Sequence, residues 1–275
     1  MTRVALFQAT AGIDPAENAR ALAEAIEQAA AGGAEMLFTP EMTGLLDRDS
    51  ARAAKVLQRQ EDDQVLATAQ NAAAQHRIWV HVGSLAVVVN DGKIANRSFV
   101  IDREGVIRGT YDKIHLFDVD LPTGESWRES NTYSPGSGVT LVNGTPVGKL
   151  GLTICYDLRF PGLFARLAES GADVIAVPAA FTIPTGKAHW HILLRARAIE
   201  AGLFVVAAAQ VGHHEDGRST FGHSLVIDPW GEVLLDMGEQ HGVGFADIDL
   251  KRISDVRSRI PALNHRRPIP DAVTL

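Results

Sequence analysis

The chain contains a single cysteine, Cys155, among 275 residues. That scarcity excludes an intramolecular disulfide and any zinc site built on several thiolates. Positive charge is also in short supply: 26 Lys and Arg stand against 33 Asp and Glu, a formal net charge of −7. Such a balance argues against an electrostatic grip on nucleic acid or on an anionic membrane. No apolar run approaches the roughly 20 residues of a membrane span, and the opening MTRVALFQAT reads as a strand, not as an export signal. Linkers, low-complexity stretches, internal repeats and the G-x-x-x-x-G-K-[ST] phosphate loop are all missing. What is present is a globular composition, 46% apolar, ample for a large core. These features lead us to expect one domain over residues 1–275, a cytoplasmic location, and neither nucleic acid nor membrane as partner.

Apolar, β-rich runs alternate with amphipathic stretches. Arg3 to Ala9 reads as a strand, followed by a helix over Pro15 to Ala31 with Asp14 as N-cap, Pro15 in the first turn and Gly32-Gly33 as the stop. Strands are expected at Glu35 to Thr39, Ile78 to Val82, Val106 to Tyr111, Leu150 to Ile154, Val174 to Val177 and Leu203 to Ala209. Helices are expected at about Asp62 to Gln75, Gly162 to Ser170 and Lys187 to Ala201. Leu85 to Val89 and Ile94 to Ile101, joined by Asn90-Asp91-Gly92, carry the signature of a β-hairpin. Val226 to Val233 reads as another. The pattern is α/β, with helices packed on the outer faces of two sheets. The segment from His115 to Pro135 is long for a loop, and Leu116, Phe117, Trp127 and Tyr133 suit it to walling a site.

Three residues at strand ends could carry chemistry. Cys155 ends one strand and opens a turn before a helix, which thrusts the side chain out and leaves the next backbone N–H groups, Tyr156 first, able to bind an oxyanion. A thiol there needs a base or a neighbouring cation to react; without one it is a packed apolar residue. Glu41 ends a buried apolar strand, where desolvation would raise its pKa as suits a general base. Lys113 ends another strand and opens the long loop. Taken singly, Glu41 and Lys113 read as solvated surface charges; together with Cys155 they offer base, cation and nucleophile. A papain-like Cys–His peptidase is disfavoured, because the sequence signature of such a cysteine is missing. His189 and His191 form an H-x-H pair on a helix, where positions i and i+2 do not share a face. His213-His214-Glu215 reads as a solvated turn, and Trp190 and Trp230 as core or interface aromatics.

TPEM around Glu41, YDKIHLFD around Lys113 and LTICYDLRFP around Cys155 resemble the three signature motifs of the nitrilase superfamily of carbon–nitrogen hydrolases, in the right order and spaced 72 and 42 residues apart. The resemblance runs from the first strand to His265-Arg266-Arg267-Pro268. It implies a four-layer α-β-β-α sandwich that pairs into a homodimer or higher homo-oligomer, and an amidase that needs no metal or organic cofactor. By the same resemblance Glu41 is the general base, Lys113 the cation stabilising the tetrahedral intermediate and Cys155 the nucleophile, while Glu129 matches a second, supporting glutamate. The stretches around Phe181-Thr182, His189-Trp190, Arg195-Ala196-Arg197, Gly222-His223-Ser224 and Asp228-Pro229-Trp230-Gly231 resemble the branch that hydrolyses deaminated glutathione. The ω-amidase branch, acting on α-ketoglutaramate or α-ketosuccinamate, is similar too, and an N-carbamoyl amino acid is a further alternative. Thr182-Ile183-Pro184 departs from variants common in the family and leaves the acyl pocket open. Arg159, Phe181 and Thr182 are the candidate substrate contacts. Arg159 and Arg195 are candidates for a substrate carboxylate, each of which could instead be a structural ion-pair partner.

Overall fold

The computed structural model describes residues 1–89, 92–120, 124 and 126–274. Its first sheet contains β1 (Thr2–Gln8), β2 (Met36–Phe38), β3 (Trp79–Val88), β4 (Ile94–Ile101) and β5 (Ile107–Asp112), with the late strand β16 (Gly242–Ile248) on the far side of β1. Strands β1, β2 and β3 run parallel, and the rest pair antiparallel. Two short ribbons, β6 (Asp118–Asp120) with β7 (Ser126–Arg128) and β12 (Val211–His213) with β13 (Ser219–Phe221), lie outside the main sheets. The second sheet repeats the first arrangement. It is built from β8 (Leu141–Thr145), β9 (Gly148–Leu152), β10 (Val174–Ala176), β11 (Phe204–Ala207), β14 (Leu225–Ile227) and β15 (Val233–Asp236), with β9, β10 and β11 parallel.

Period-two alternation sorts the side chains of the first sheet between two cores. Val4, Leu6, Met36 and Phe38 join Leu150, Leu152, Val174 and Val206 between the sheets. Ala5, Phe7, Leu37 and Val80 point the other way, onto Leu22 and Ile26 of α1 (Pro15–Ala31) and Leu66 of α3 (Gln64–His76). A short α2 (Ser50–Ala53) lies between these helices in the chain. The second sheet is covered by α4 (Pro161–Glu169) and α5 (Ile183–Ala201), through Phe164, Leu167, Trp190 and Leu194. The layers are therefore α-β-β-α, as expected. The chain ends in α6 (Lys251–Arg259) and an exposed tail. Among the described residues no helix is long and apolar enough to cross a membrane.

Local signals explain most boundaries. The Asp14 side chain accepts from the Ala16 N–H and Pro15 opens α1; Asp63 caps α3 in the same way through Val65 and Leu66. Helix α5 starts at Ile183, a turn earlier than Lys187, because Pro184 fits the first helical turn, where no N–H is needed. A larger difference is β3: Ile78 to Val82 and Leu85 to Val89 are one strand, interrupted by a bulge at Gly83-Ser84. A Cβ on Gly83 would lie 2.1 Å from the Thr39 carbonyl oxygen and 2.4 Å from that of Pro40, so only glycine lets β3 pass the turn that carries Glu41. The Asn90-Asp91 turn lies outside the described residues, but the pairing of Val88 with Ile94 gives the expected hairpin. Strands β6, β7, β8, β12, β13 and β16 and helices α2 and α6 have no counterpart in the elements read from the sequence, and β6 and β7 form a ribbon inside the segment read as a long loop.

One buried polar side chain in this frame makes stability depend on pH. His81, on β3, is 1% exposed and meets Ser98 Oγ at 2.8 Å through Nε2. Burial pushes its pKa down to about 3 from 6.5. Between those values the unfolded chain binds a proton that the folded chain refuses, so acidification destabilises the fold by up to about 1.4 kcal/mol per pH unit. Urea midpoints measured from pH 7 to pH 4 should fall, and fall less in His81→Gln; equal slopes in the two proteins would refute this role.

Candidate active site

Glu41, Lys113 and Cys155 come from three strand ends, those after β2, β5 and β9, and the two stacked sheets bring these ends to one place. Lys113 is 2% exposed, with Nζ 3.0 Å from Glu41 Oε1 and 2.9 and 3.1 Å from the two oxygens of Glu129. Glu41, 5% exposed, also accepts from Asn96 Nδ2 at 3.0 Å and from the Ala180 N–H at 3.1 Å. The Cys155 thiol lies beside the same carboxylate, near enough for each to affect the other's ionisation. Glu129 stands in a 3₁₀ turn after β7 and is fixed by the Phe117 N–H at 2.6 Å and by Asn96 Nδ2 at 3.2 Å.

The turn after β9 presents the thiol through an unusual backbone. Cys155 has φ +47°, in the left-handed region that a non-glycine residue adopts at some cost. Asp157, fully buried, holds this turn in place: its carboxylate accepts from the Ile154 N–H at 2.9 Å, the Tyr111 hydroxyl at 2.7 Å and the His115 N–H at 3.1 Å, and meets His115 Nδ1 at 2.6 Å. Tyr111 and His115 flank Lys113, so one carboxylate ties the cysteine turn to the lysine strand.

Charge follows from this packing. For Cys155, burial and the Glu41 carboxylate beside it push the thiol well above its ordinary value, against the opposing pull of Lys113. Lys113 is buried too, but the carboxylates of Glu129 and Glu41 outweigh desolvation and hold it firmly protonated. Glu41 overturns an expectation: burial raises its pKa, yet the Lys113 charge, the neighbouring Cys155 thiol and the hydrogen bonds from Lys113 and Asn96 win, and it lies below the usual carboxyl value. The resting site thus holds a carboxylate, an ammonium and a neutral thiol.

A cavity of about 530 Å³ opens onto Glu41, Lys113 and Glu129. Phe117, Trp127 and Tyr133 wall it, as their loop suggested, and Thr182 lines it as well. Phe181 is buried under Trp190, ring centroids 4.7 Å apart. Arg159 lies over the Tyr156 and Phe181 rings at 5.9 and 5.5 Å and meets His189 Nδ1 at 3.3 Å. Arg195 donates instead to the Gly231 carbonyl at 2.8 Å, a structural contact. Sequence reasoning missed Asn96, a mid-strand residue with no local signal, along with the Ala180 N–H and the cavity arginines Arg48 and Arg218. The helical pair His189 and His191 part company as their spacing requires. His191 joins His223 on Asp236, at 3.0 and 2.9 Å, fastening α5 to β15.

The profile described as "Carbon-nitrogen hydrolase" matches residues 3–258. The chain belongs to the carbon–nitrogen hydrolase family. This hydrolase is 38% identical to the deaminated glutathione amidase of Yersinia enterocolitica, over 98% of its own length and 94% of the relative's. Its fold matches the C. elegans NitFhit protein with a TM-score of 0.89 at 37% identity, covering 97% of the hydrolase and 65% of that longer chain. It also matches a mutant of an amidase from Nesterenkonia sp., solved with acrylamide joined by Michael addition at its active-site cysteine (TM-score 0.78, 25% identity, 95% and 98% covered). The hydrolase is thus a nitrilase-superfamily enzyme that cleaves carbon–nitrogen bonds, with the amidase activity of that family.

Because Glu41 is held ionised, activity should persist on the acid side: the acid limb of kcat/KM should lie below pH 4.5, the ordinary carboxyl value. Asn96→Ala removes one of the hydrogen bonds holding that value down, so its acid limb should move to higher pH. A limb above 4.5 in the parent, or one unmoved in the variant, would contradict this charge assignment.

Proposed function

We propose that the hydrolase cleaves small amides bearing a carboxylate through a thioester on Cys155, deaminated glutathione being the first candidate. The observation that carries this reading is a buried thiol placed beside a carboxylate that also binds a buried ammonium. Glu41 takes the thiol proton as Sγ attacks the carbonyl carbon. Lys113 Nζ and the Tyr156 N–H meet the negative charge that gathers on oxygen. The C–N bond then breaks, the departing amine takes the proton from Glu41, and an acyl-thioester remains. Water, deprotonated by Glu41, attacks that thioester; the C–S bond breaks, the thiolate regains its proton and the acid leaves. Glu129 is a positioning residue for Lys113.

The named relatives support the substrate class, and the covalent adduct of the Nesterenkonia amidase supports the nucleophile. Arg159 makes no ion pair among the described residues. It is the proposed partner of the carboxylate on the acyl side, with Phe181 and Thr182 shaping that pocket. Residues 1–275 act as one domain in the cytoplasm, where a lone thiol stays reduced. A homodimer is proposed through exposed Ile192 and Ile199 of α5 with Trp230 of the β14–β15 turn, 69%, 52% and 51% exposed.

The test is product release by purified protein from deaminated glutathione, α-ketoglutaramate and an N-carbamoyl β-amino acid. Deaminated glutathione should give the highest kcat/KM, with α-ketoglutaramate the alternative. Cys155→Ala should abolish turnover, and Lys113→Met should lower kcat by roughly 100-fold or more, the usual effect of losing an oxyanion donor. Turnover surviving in Cys155→Ala would sink the mechanism.

A further inference from the structure

The cavity continues beyond the reacting groups, and its far part carries charge that the chemistry above does not use. From Tyr156, next to the nucleophile, an aromatic wall passes to Phe117 at 5.1 Å between ring centroids and on to Trp127 at 6.5 Å. The guanidiniums of Arg48 and Arg218 approach that same Trp127 ring, at 5.7 and 5.2 Å from its centroid. The three residues come from separate parts of the chain: the loop before α2, strand β7, and the turn between β12 and β13. All three line the cavity that Lys113 and Glu41 share.

Other charges lining this cavity are already answered. Glu41 and Glu129 hold Lys113. Asp47 binds Arg52 at 2.6 and 2.8 Å, and Arg128 binds Asp120 at 2.9 Å. Arg218 leans on buried Asp216 through Nε at 2.6 Å. Arg48 alone of the cavity arginines makes no ion pair among the described residues. Two guanidiniums brought to one indole concentrate positive charge in this part of the cavity, and guanidinium is the side chain best matched to a carboxylate.

We propose that Arg48, Arg218 and Trp127 form a leaving-group subsite, which binds a carboxylate at the far end of the departing amine. This rests on the amidase reading above and narrows it. The preferred substrate is an amide whose departing amine extends along the aromatic wall and ends in a free carboxylate, as a short peptide does. Ammonia as leaving group would leave the subsite empty.

The experiment compares Arg48→Ala and Arg218→Lys with the parent on two substrates, α-ketoglutaramate and deaminated glutathione, whose leaving groups are ammonia and a dipeptide. For the dipeptide substrate kcat/KM should fall on the order of tenfold or more, chiefly through KM, and for α-ketoglutaramate it should change less than about twofold. Esterifying the dipeptide carboxylate should slow the parent similarly and leave Arg48→Ala indifferent. Equal losses on both substrates, or no loss on the dipeptide substrate, would overturn the subsite. If the parent cleaves neither substrate, the amidase reading fails instead. Calorimetry of glycylglycine on Cys155→Ala protein, with and without Arg48→Ala, then decides the subsite by itself: binding lost in the double variant supports it, and binding absent or unchanged refutes it.

Discussion

Everything at the centre of this protein is arranged around one buried ammonium. Lys113 is withdrawn from water at the end of β5, and placing an ion there costs several kcal/mol unless opposite charge and hydrogen bonds surround it. Glu41 and Glu129 provide the charge at 2.9–3.1 Å. Two carboxylates beside one ammonium leave an excess negative charge, and the Asn96 amide, the Ala180 N–H and the Phe117 N–H spread it. The same balance, with burial, keeps the Cys155 thiol protonated. The charge state of the site is therefore set by its own packing, with carboxylate, ammonium and thiol gathered at one place.

Holding four such groups in register demands stiff support. The first sheet supplies Glu41, Asn96 and Lys113, and the second supplies Cys155 and, past β10, Ala180. Asp157 is the fastening across the gap, because its oxygens reach both the cysteine turn and the residues on either side of Lys113. Gly83 plays a complementary part from the first sheet, where its missing Cβ allows β3 to close against Thr39 and Pro40. Backbone strain at Cys155 and at Met42, φ +47° and +56°, sits on either side of the reacting pair and is held by these surrounding contacts.

The cavity has a division of labour along its length. In the proposed reading Glu41 and Lys113, at its inner end, serve bond breaking, and the aromatic wall and arginines farther out serve recognition. That outer part is built from loops and short ribbons, while Glu41, Lys113 and Cys155 rest on sheet ends. Loops can change the accepted substrate without disturbing the charge balance at Lys113.

Much of this could be read in the chain before any coordinates. Period-two and helical patterns, caps such as Asp14 and breakers such as Gly32 set most elements, because those signals are local. The strand-end placement of Glu41, Lys113 and Cys155 was legible for the same reason. Strand β16 escaped notice, since its Gly-rich, half-exposed sequence gains strand character only from pairing with β1. Asn96, Asp157, Arg48 and Arg218 were invisible as a set: each is an ordinary polar residue until two sheets and three loops bring it beside a distant partner. The sequence by itself determined which reactive groups the protein carries, because a thiol, a carboxylate and an ammonium are properties of side chains. Only the tertiary structure decided their protonation and the reach of the cavity, because the fields and walls that set both come from residues far apart in the chain.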